Sequence, residues 1–375
     1  MELEKRIIAF VRLGEVLRKF DTNFTNNTIL KEATIKASQK NGWFTEENIL
    51  LAIGSLGEML KEEKIRKWVS EYNILPDPLQ RGKEKRIGVI MAGNIPLVGF
   101  HDFLCVLISG NSFAGKLSSD DEFLLPAVSK LLITIESGFK EQIHFTNKPF
   151  NKSANISAFI ATGSNNSARY FEYYFGKYPH IIRKNRNAIA ILDGKETEND
   201  LKNLGKDIFQ YFGMGCRNVS KVFIPQDYNL DKFFAAIVDF GDVINHNKYY
   251  NNHIYYRTIY LLNKEKFLDN NFLMLKESPS PALPKDNHRL RPQVGASTTL
   301  SSPVATLYYE YYKDQKNLTE KLLVIKEQIQ CTASIKVLPF GKDLGWASVP
   351  FGQTQSPELW DYADGVDTME FLLSL

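Results

Sequence analysis

The sequence has few cysteines, little net charge and no long hydrophobic run, and each shortage excludes a class of protein. Its three cysteines, Cys105, Cys216 and Cys331, are odd in number, far apart and fit no zinc-binding spacing. A disulfide framework or a cysteine-based metal site is therefore not expected. The formal net charge is +3, from 46 Lys and Arg against 43 Asp and Glu, so nothing predicts a nucleic-acid or anionic-membrane partner.

Membrane and targeting signals are also scarce. The most apolar stretch, Leu97–Ser109, contains His101 and Asp102 and is too short to span a bilayer. The N-terminus is charged and leads into an amphipathic pattern, without the apolar core of a secretion signal. We therefore expect no membrane span and a cytoplasmic location. Neither of the standard phosphate-binding fingerprints, a GxGxxG after a strand or a P-loop, is present.

The chain changes its pattern near residue 86. Residues 1–75 read as helical, with Thr45 as one helix cap, and Pro76-Asp77-Pro78 ends that region. Beyond it, short β-branched runs alternate with helical patterns, which predicts parallel βαβ units. The predicted strands are Arg86–Ala92, Ser112–Lys116, Ile156–Ala161, Ala188–Leu192, Val219–Ile224, Tyr255–Leu262, Phe272–Leu275, Ala305–Tyr312, Cys331–Val337 and a final Thr368–Leu373. Ser278–Ser302, rich in Pro, Ser and Thr, is predicted to be a long loop.

Cys216 is the first candidate for chemistry. It follows Gly213 and Gly215 at a predicted helix-to-strand junction, where glycines allow close approach and left-handed backbone angles. The neighbouring Arg217 favours the thiolate, which is the reactive form of cysteine. The competing interpretation is a small buried hydrophobic residue, which describes most free cysteines and fits Cys105 and Cys331.

Four other motifs are ambiguous when each is taken alone. Asn94, in an Asn-x-Pro turn after a strand, suits an oxyanion donor or an asparagine that stabilises its own turn. Gly163 and Ser164 form a turn before a helix, which suits a phosphate or an ordinary helix cap. Lys116 ends a strand and His180 precedes one; each suits either a functional role or a solvated or structural one.

The order of these motifs resembles the aldehyde dehydrogenase superfamily. An Asn-x-Pro turn, a Gly-Asn stretch ending in Lys116, a Thr-Gly-Ser turn, a Gly-x-Gly-Cys loop and a Pro-Phe-Gly turn follow one another. More closely, the chain looks like the LuxC-type acyl-CoA reductases, which reduce fatty acyl thioesters to aldehydes. The resemblance covers Arg86 to Leu375.

The resemblance implies an α/β fold of the aldehyde dehydrogenase type: a Rossmann-type cofactor domain, an α/β catalytic domain and a C-terminal oligomerisation strand. Residues 1–195 would hold the N-terminal helices and the NAD(P)-binding domain. Residues 196–345 would form the catalytic domain. Residues 346–375 would return to the cofactor domain and the oligomer interface.

Roles for particular residues are also implied by the resemblance. Cys216 would be the nucleophile, and Asn94 with the backbone N–H of Cys216 would form the oxyanion hole. Lys116 would contact the adenosine ribose or its 2′-phosphate, and the Thr-Gly-Ser turn would lie beside the pyrophosphate. The implied cofactor-binding set is Lys116, Ser118, Gly163, Ser164 and Glu277.

Two departures from the family pattern bear on the reaction. Ser119 stands where many aldehyde-oxidising members have a glutamate that repels a 2′-phosphate, which favours NADPH and leaves NADH open. The stretch His180–Lys184 stands where those members carry the glutamate that activates the hydrolytic water. The loss of that glutamate favours a reductase, with His180 as a candidate for proton transfer. Glu277 matches the glutamate that holds the nicotinamide ribose only loosely.

The implied function is reduction of a fatty acyl thioester to an aldehyde by NADPH or NADH, through a thioester on the cysteine. The acyl donor would be an acyl-CoA or an acyl-protein, and the implied partners are further copies of this chain and an acyl-transferring protein. Two alternatives stay open. One is an aldehyde dehydrogenase that makes free acid, and the other is a catalytically idle superfamily member that serves as an assembly subunit.

Overall fold

The structure is a computed structural model that describes residues 1–20, 27–72, 84–150, 154–279, 300–335 and 346–375. It divides into two compact units, one formed by Met1–Asn185 with Pro357–Leu375 and the other by Arg186–Ser356. The predicted break at residues 76–78 lies outside the described residues, and so does most of the predicted loop Ser278–Ser302.

The first unit begins with four helices, as the sequence predicts for residues 1–75. Thr45 caps the third of them, because its side chain accepts a hydrogen bond from the backbone N–H of Asn48. The helices of this unit are α1 Leu3–Arg18, α2 Thr28–Lys40, α3 Glu46–Met59, α4 Glu62–Ser70, α5 Phe100–Ile108, α6 Leu124–Ile135, α7 Asn165–Phe175 and, at the C-terminus, α12 Thr368–Ser374. Across the described ranges, no helix combines the length and the apolar character needed to cross a membrane.

A parallel sheet forms the centre of the first unit. Its strands are β1 Arg86–Ile90, β2 Ser112–Lys116, β3 Ile143–Thr146, β4 Ala158–Thr162 and β5 His180–Arg183. They lie in the order β3-β2-β1-β4-β5, and all of them are parallel. This is the order of a dinucleotide-binding sheet, in which the order of the strands reverses beside β1. The strands predicted near β1, β2 and β4 are confirmed, whereas β3 and β5 were not predicted because each is a four-residue strand with polar residues.

The second unit is built around a sheet of seven strands. Its strands are β6 Asn187–Ile191, β7 Val219–Pro225, β8 Leu268–Asp269, β9 Met274–Glu277, β10 Thr306–Tyr312, β11 Ile329–Ser334 and β12 Ala347–Val349. They lie in the order β12-β11-β6-β7-β10-β9-β8, and all pairs are parallel except β8 with β9. The helices of this unit are α8 Glu198–Phe209, α9 Leu230–Ala236, α10 Asn247–Leu262 and α11 Gln315–Ile325.

Two predicted strands are wrong, because both segments are helices. Tyr255–Leu262 is rich in aromatic and β-branched residues, yet it forms the second half of α10, where Tyr249, His253 and Tyr260 share the buried face. The predicted C-terminal oligomerisation strand is the helix α12. Asp367 caps it by accepting from the backbone N–H of Glu370, and Thr368, Met369 and Leu372 are its buried residues, at helical spacing. Packing periodicity therefore overrides β-propensity in both places.

Candidate active site

Cys216 lies in the loop between α8 and β7, at the helix-to-strand junction that the sequence predicts, and its side chain is half-buried. Three consecutive residues before it, Tyr211, Phe212 and Gly213, have φ angles of +52°, +58° and +77°. Two non-glycine residues in the left-handed region are costly and persist only where the surrounding structure holds them. The loop that carries the cysteine is therefore a strained backbone segment with a defined conformation.

Asn218 holds this loop in place. Its buried side chain accepts from the backbone N–H of Gly215 at 2.8 Å and donates to the carbonyls of Asp207 at 3.0 Å and Gln210 at 2.8 Å. Those carbonyls belong to the end of α8, where helical carbonyls lack partners within the helix. One amide thus caps the helix and fixes the residue before the nucleophile candidate.

Gly215 is needed for this close approach. A Cβ built on Gly215 would lie 2.9 Å from Asn218 Oδ1, which is closer than real Cβ atoms normally come to a neighbour. The expectation that the two glycines serve left-handed geometry and close approach is confirmed, Gly213 by its φ angle and Gly215 by this contact.

Asp207 connects the end of α8 to the Pro-Phe-Gly turn. Its buried carboxylate accepts from the backbone N–H of Gly352 at 2.6 Å and from both the N–H and the hydroxyl of Thr354, at 3.0 and 2.8 Å. Burial raises the pKa of the Asp207 carboxyl to about 6. Because the Asp207 carbonyl also accepts from Asn218, the end of α8 fixes both the cysteine loop and the turn near the C-terminus.

In the first unit, the predicted cofactor residues come together at one edge of the sheet. Ile90, near the end of β1, pairs with Lys116 at the end of β2 and with Ala161 near the end of β4. The turns that follow β1, β2 and β4 therefore lie side by side, and they contain Asn94, Ser118, Gly163 and Ser164. This is the carboxyl edge where open α/β sheets bind ligands, at the strand-order reversal.

The turn that carries Asn94 is anchored by Asp121. The Asp121 carboxylate accepts from the backbone N–H of Leu97 at 2.8 Å, and Leu97 has a φ angle of +60°. Burial raises the pKa of this carboxyl to about 6. Gly93 gives Ser118 the space to approach, since a Cβ on Gly93 would lie 2.4 Å from the Ser118 hydroxyl oxygen.

Ser164 caps α7, because its hydroxyl accepts from the backbone N–H of Ser167 at 3.2 Å. The interpretation as an ordinary helix cap is therefore confirmed, and it is compatible with an anion at the remaining N–H groups of the first turn. Gly163 permits tight packing of the turn on α7, since a Cβ there would lie 2.9 Å from both Phe171 and Ser167 side chains.

The structure does not bring His180 to that edge. His180 is exposed and begins β5, where it pairs with Phe159, whereas Arg183 pairs with Thr162 at the other end of the strand. Three residues of strand separate His180 from the carboxyl edge by about 10 Å. Its Nδ1 lies 2.7 Å from the carbonyl oxygen of Tyr178.

Glu277 ends β9 in the second unit and its side chain is exposed. In the sheet register, Glu277 pairs with Tyr309 of β10, and Tyr309 pairs on its other side with Val222 of β7. The register thus places Glu277 two strands from β7 and further along the sheet than Val219, where β7 begins after the cysteine loop.

The other two cysteines are packing residues, as predicted. Cys105 in α5 and Cys331 in β11 are both completely buried, and burial raises the pKa of the Cys105 thiol. Residues that sequence reasoning missed are Asn218, Asp207 and Asp121. Only Asn218 had a local signal, since it lies two residues after Cys216, whereas the two aspartates look like ordinary polar residues of a helix and a turn.

Comparison with known proteins matches this architecture. No protein-family model matches the sequence, and no curated protein sequence matches it either. Among solved structures, aldehyde dehydrogenase 21 from Physcomitrella patens, in complex with the reaction product succinate, has 12% identity and a TM-score of 0.65 over 100% of this chain and 84% of its own. The chain has the aldehyde dehydrogenase fold.

Two further structures show the same similarity. Indole-3-acetaldehyde dehydrogenase AldA of P. syringae, a mutant in complex with NAD+ and IAA, has 11% identity and a TM-score of 0.64, over 97% of this chain and 80% of its own. Aldehyde dehydrogenase C of Pseudomonas syringae, a mutant with NAD+ and octanal, has 11% identity and a TM-score of 0.62, over 93% and 77%. At these identities the comparisons establish the fold.

Proposed function

We propose that this protein is an NAD(P)H-dependent acyl-CoA reductase that converts a fatty acyl thioester to an aldehyde through a thioester on Cys216. The observation that carries the proposal is the cysteine loop. In an aldehyde dehydrogenase fold, a half-buried cysteine follows a strained turn, and the buried amide of Asn218 holds Gly215, the residue directly before it. Such preorganisation is what a nucleophile needs, and a cysteine that only packs would not need it.

A nicotinamide dinucleotide fits the carboxyl edge of the first unit. The edge lies at the strand-order reversal, and the first turn of α7 provides backbone N–H groups for a diphosphate. Lys116 would hold the ribose or its 2′-phosphate, with Ser118 beside it. The exposed Ser119 carries no charge that would repel a 2′-phosphate, which supports NADPH. When bound, the reduced cofactor supplies hydride.

The residues of this chain would perform acyl transfer in two stages. The Cys216 thiolate attacks the carbonyl carbon of the acyl-CoA, and the bond to the CoA sulfur then breaks with its electron pair leaving on that sulfur. The acyl group remains on Cys216, which divides a difficult step into two easier ones. After reduction at the acyl carbon, the C–S bond to Cys216 breaks, and the aldehyde leaves as the thiolate is restored. Within the second unit, the backbone N–H of Cys216 would hold the oxyanion.

The composition of β5 supports a reductase over an aldehyde dehydrogenase that makes free acid. This strand, with Lys184 after it, matches the family stretch that carries the water-activating glutamate, and it contains no acidic residue. Its buried Arg183 is instead committed to a bidentate ion pair with Asp102, at 2.6 and 2.8 Å. In a reductase, hydride must reach the acyl group while it is still bound to the cysteine. An activated water would hydrolyse that intermediate before it could be reduced. His180 lies at the amino end of β5 and takes no part in this mechanism.

Oxidation of an aldehyde to free acid is the second candidate, because the similar structures are named as aldehyde dehydrogenases. Incubation with an aldehyde and NAD(P)+, with and without CoA, separates the two functions. We expect turnover that requires CoA. CoA-independent production of acid would favour the second candidate.

The central test is covalent labelling of Cys216. A radioactive acyl-CoA should label the wild-type protein, and Cys216→Ala should abolish the labelling. Cys331→Ala is the matched control, since it removes a completely buried thiol and should leave the labelling intact. Full labelling of the Cys216→Ala protein would show that the acyl group is carried elsewhere.

A further inference from the structure

Asp121 is a buried acid at the carboxyl edge of the first unit, and it has no role in the proposed mechanism. Its side chain is buried in the turn that follows β2, beyond Lys116 and Ser118. Burial of a carboxylate is unfavourable unless hydrogen bonds compensate for the lost hydration. A buried carboxylate at the edge that suits a dinucleotide therefore needs an explanation.

Asp121 is one of two contacts that join the turn after β1 to the turn after β2. Its carboxylate accepts a hydrogen bond from the backbone N–H of Leu97 at 2.8 Å. The other contact is the close approach of Gly93 to Ser118, where an added Cβ would lie 2.4 Å from the hydroxyl oxygen. The turn after β1 is thus held against the turn after β2 by one charge-assisted hydrogen bond and one close packing contact.

The hydrogen bond from Leu97 also holds a strained residue. Leu97 is buried and has a φ angle of +60°, a conformation that a non-glycine residue keeps only where its surroundings impose it. Removal of the Asp121 carboxylate would leave its N–H without this acceptor, which is unfavourable for a buried donor. We therefore expect the turn that contains Asn94 and Leu97 to relax when the acceptor is lost.

The turn that carries Asp121 is itself fixed. The backbone N–H of Asp121 donates to the carbonyl of Ser118 at 3.3 Å, and the backbone N–H of Asp120 donates to the Ser118 hydroxyl at 3.3 Å. From the end of α2, the side chain of Asn41 donates to the carbonyl of Asp120, also at 3.3 Å. Asp121 therefore connects a fixed turn to a strained one.

We propose that Asp121 is a positioning residue for the nicotinamide cofactor, which binds tightly only while its carboxylate joins the turns after β1 and β2. The strand order reverses beside β1, so a dinucleotide at this edge lies against the turn that follows β1. Ser118, in the turn after β2, belongs to the same proposed site. The inference rests on the proposed function, since it takes this edge as the cofactor site.

The test measures the Kd for NADPH on the whole chain at pH 8, followed by the fluorescence of the nicotinamide. Asp121→Leu removes the acceptor at similar volume. Its Kd should rise about 10-fold or more, because the apparent affinity falls in proportion to the fraction of molecules whose turns stay joined. Asp121→Asn keeps an oxygen that can accept from Leu97, so its Kd should stay near the wild-type value. Asp121→Ala removes the same acceptor and replaces the leucine variant if that protein does not fold.

Two controls separate positioning from charge and from general damage. Loss of a negative charge near bound phosphates would by itself tighten NADPH binding, so a rise in Kd reports position. Asp120→Leu is the matched control, since it removes the charge of the exposed neighbour and should not raise the Kd. Alkylation by iodoacetamide of Cys216, which belongs to the other unit, should keep its wild-type rate in Asp121→Leu.

Four results would overturn the role of Asp121. They are an unchanged Kd in Asp121→Leu, an equal rise in Asp121→Asn, an equal rise in Asp120→Leu, and a parallel fall in the alkylation of Cys216. The second would show that the acceptor is not what matters, and the last would show that the substitution damages the whole protein.

Failure of this inference differs from failure of the proposed function. If the wild type binds NADPH and reduces acyl-CoA while Asp121→Leu binds NADPH normally, only the role of Asp121 is wrong. If NADPH binding depends on Asp121 but acyl-CoA is not reduced, the inference stands and the acyl-CoA reductase function is wrong. A wild-type protein that binds neither NADPH nor NADH would overturn both.

Discussion

Replacing Asn218 by aspartate isolates the contact that positions the cysteine loop. The introduced carboxylate has nearly the same shape and can still accept from the backbone N–H of Gly215, which donates to Asn218 at 2.8 Å. Its second oxygen, however, would face the carbonyl oxygens of Asp207 and Gln210, to which the native amide donates. Asn218→Asp therefore turns two attractive contacts into repulsive ones without changing the volume of the side chain.

The expected loss of stability is large for a single-atom change. Two lost hydrogen bonds cost about 2–3 kcal/mol, and a buried carboxylate with one remaining donor adds a similar amount or more. A total of about 4 kcal/mol lowers the melting temperature of a unit of this size by ~8–16 °C. Because burial and the facing carbonyls raise the pKa of the introduced carboxyl, the deficit is largest at high pH and shrinks as the pH falls and the group becomes protonated.

Thermal unfolding followed by circular dichroism at pH 7 and pH 5 measures both effects. Asn251→Asp makes the same chemical change at an exposed position of α10 and should leave the melting temperature nearly unchanged. An Asn218→Asp protein that melts with the wild type at pH 7 would refute the argument. So would a deficit that is independent of pH.

Three further predictions follow from buried charge and from the proposed cofactor. Burial raises the pKa of Asp207 from its ordinary value of 3.8 to about 6. Because the folded protein then binds the proton more tightly, the free energy of unfolding measured with urea should rise by up to about 3 kcal/mol as the pH falls from 7 to 4. Asp207→Asn should remove that part of the pH dependence. Arg183→Met leaves the buried Asp102 carboxylate unpaired and should cost about 3–5 kcal/mol; adding Asp102→Asn should recover part of it in a double-mutant cycle. Ser119→Glu should shift the ratio of kcat/KM values from NADPH towards NADH, and an unchanged ratio would contradict the proposed placement of the 2′-phosphate.

Much of the secondary structure could be predicted because it depends on neighbours in the sequence. Thr45 caps its helix through an N–H three residues away, and the helix predicted after the turn at Gly163 and Ser164 is Asn165–Phe175. The strand β1 is a mostly apolar run, and Pro225 ends β7. Prediction failed where tertiary packing chose between two local options, as in the aromatic segment Tyr255–Leu262, whose buried face has helical spacing.

The candidate site was predicted in part for the same reason. Cys216, Asn94, Lys116 and Gly163 each lie in a turn or at a strand end that the local pattern marks. Within the first unit, the register of the sheet decided that the turns with Asn94 and Gly163 lie beside the end of β2 at Lys116. It placed His180 at the opposite end of its strand from these cofactor-side residues. Position within a strand cannot be read when the strand itself, β5, is not predicted.

The sequence by itself determined the alternation of strands and helices, the junction that carries Cys216 and the absence of an acidic residue in His180–Lys184. Only the tertiary structure decided how that junction is held. Asp207 binds the turn at Gly352 across 145 residues of sequence, and Asn218 closes the same helix end on the cysteine loop. Local periodicity reports hydrogen bonds and burial within a few residues, whereas these contacts form only when distant segments fold against one another.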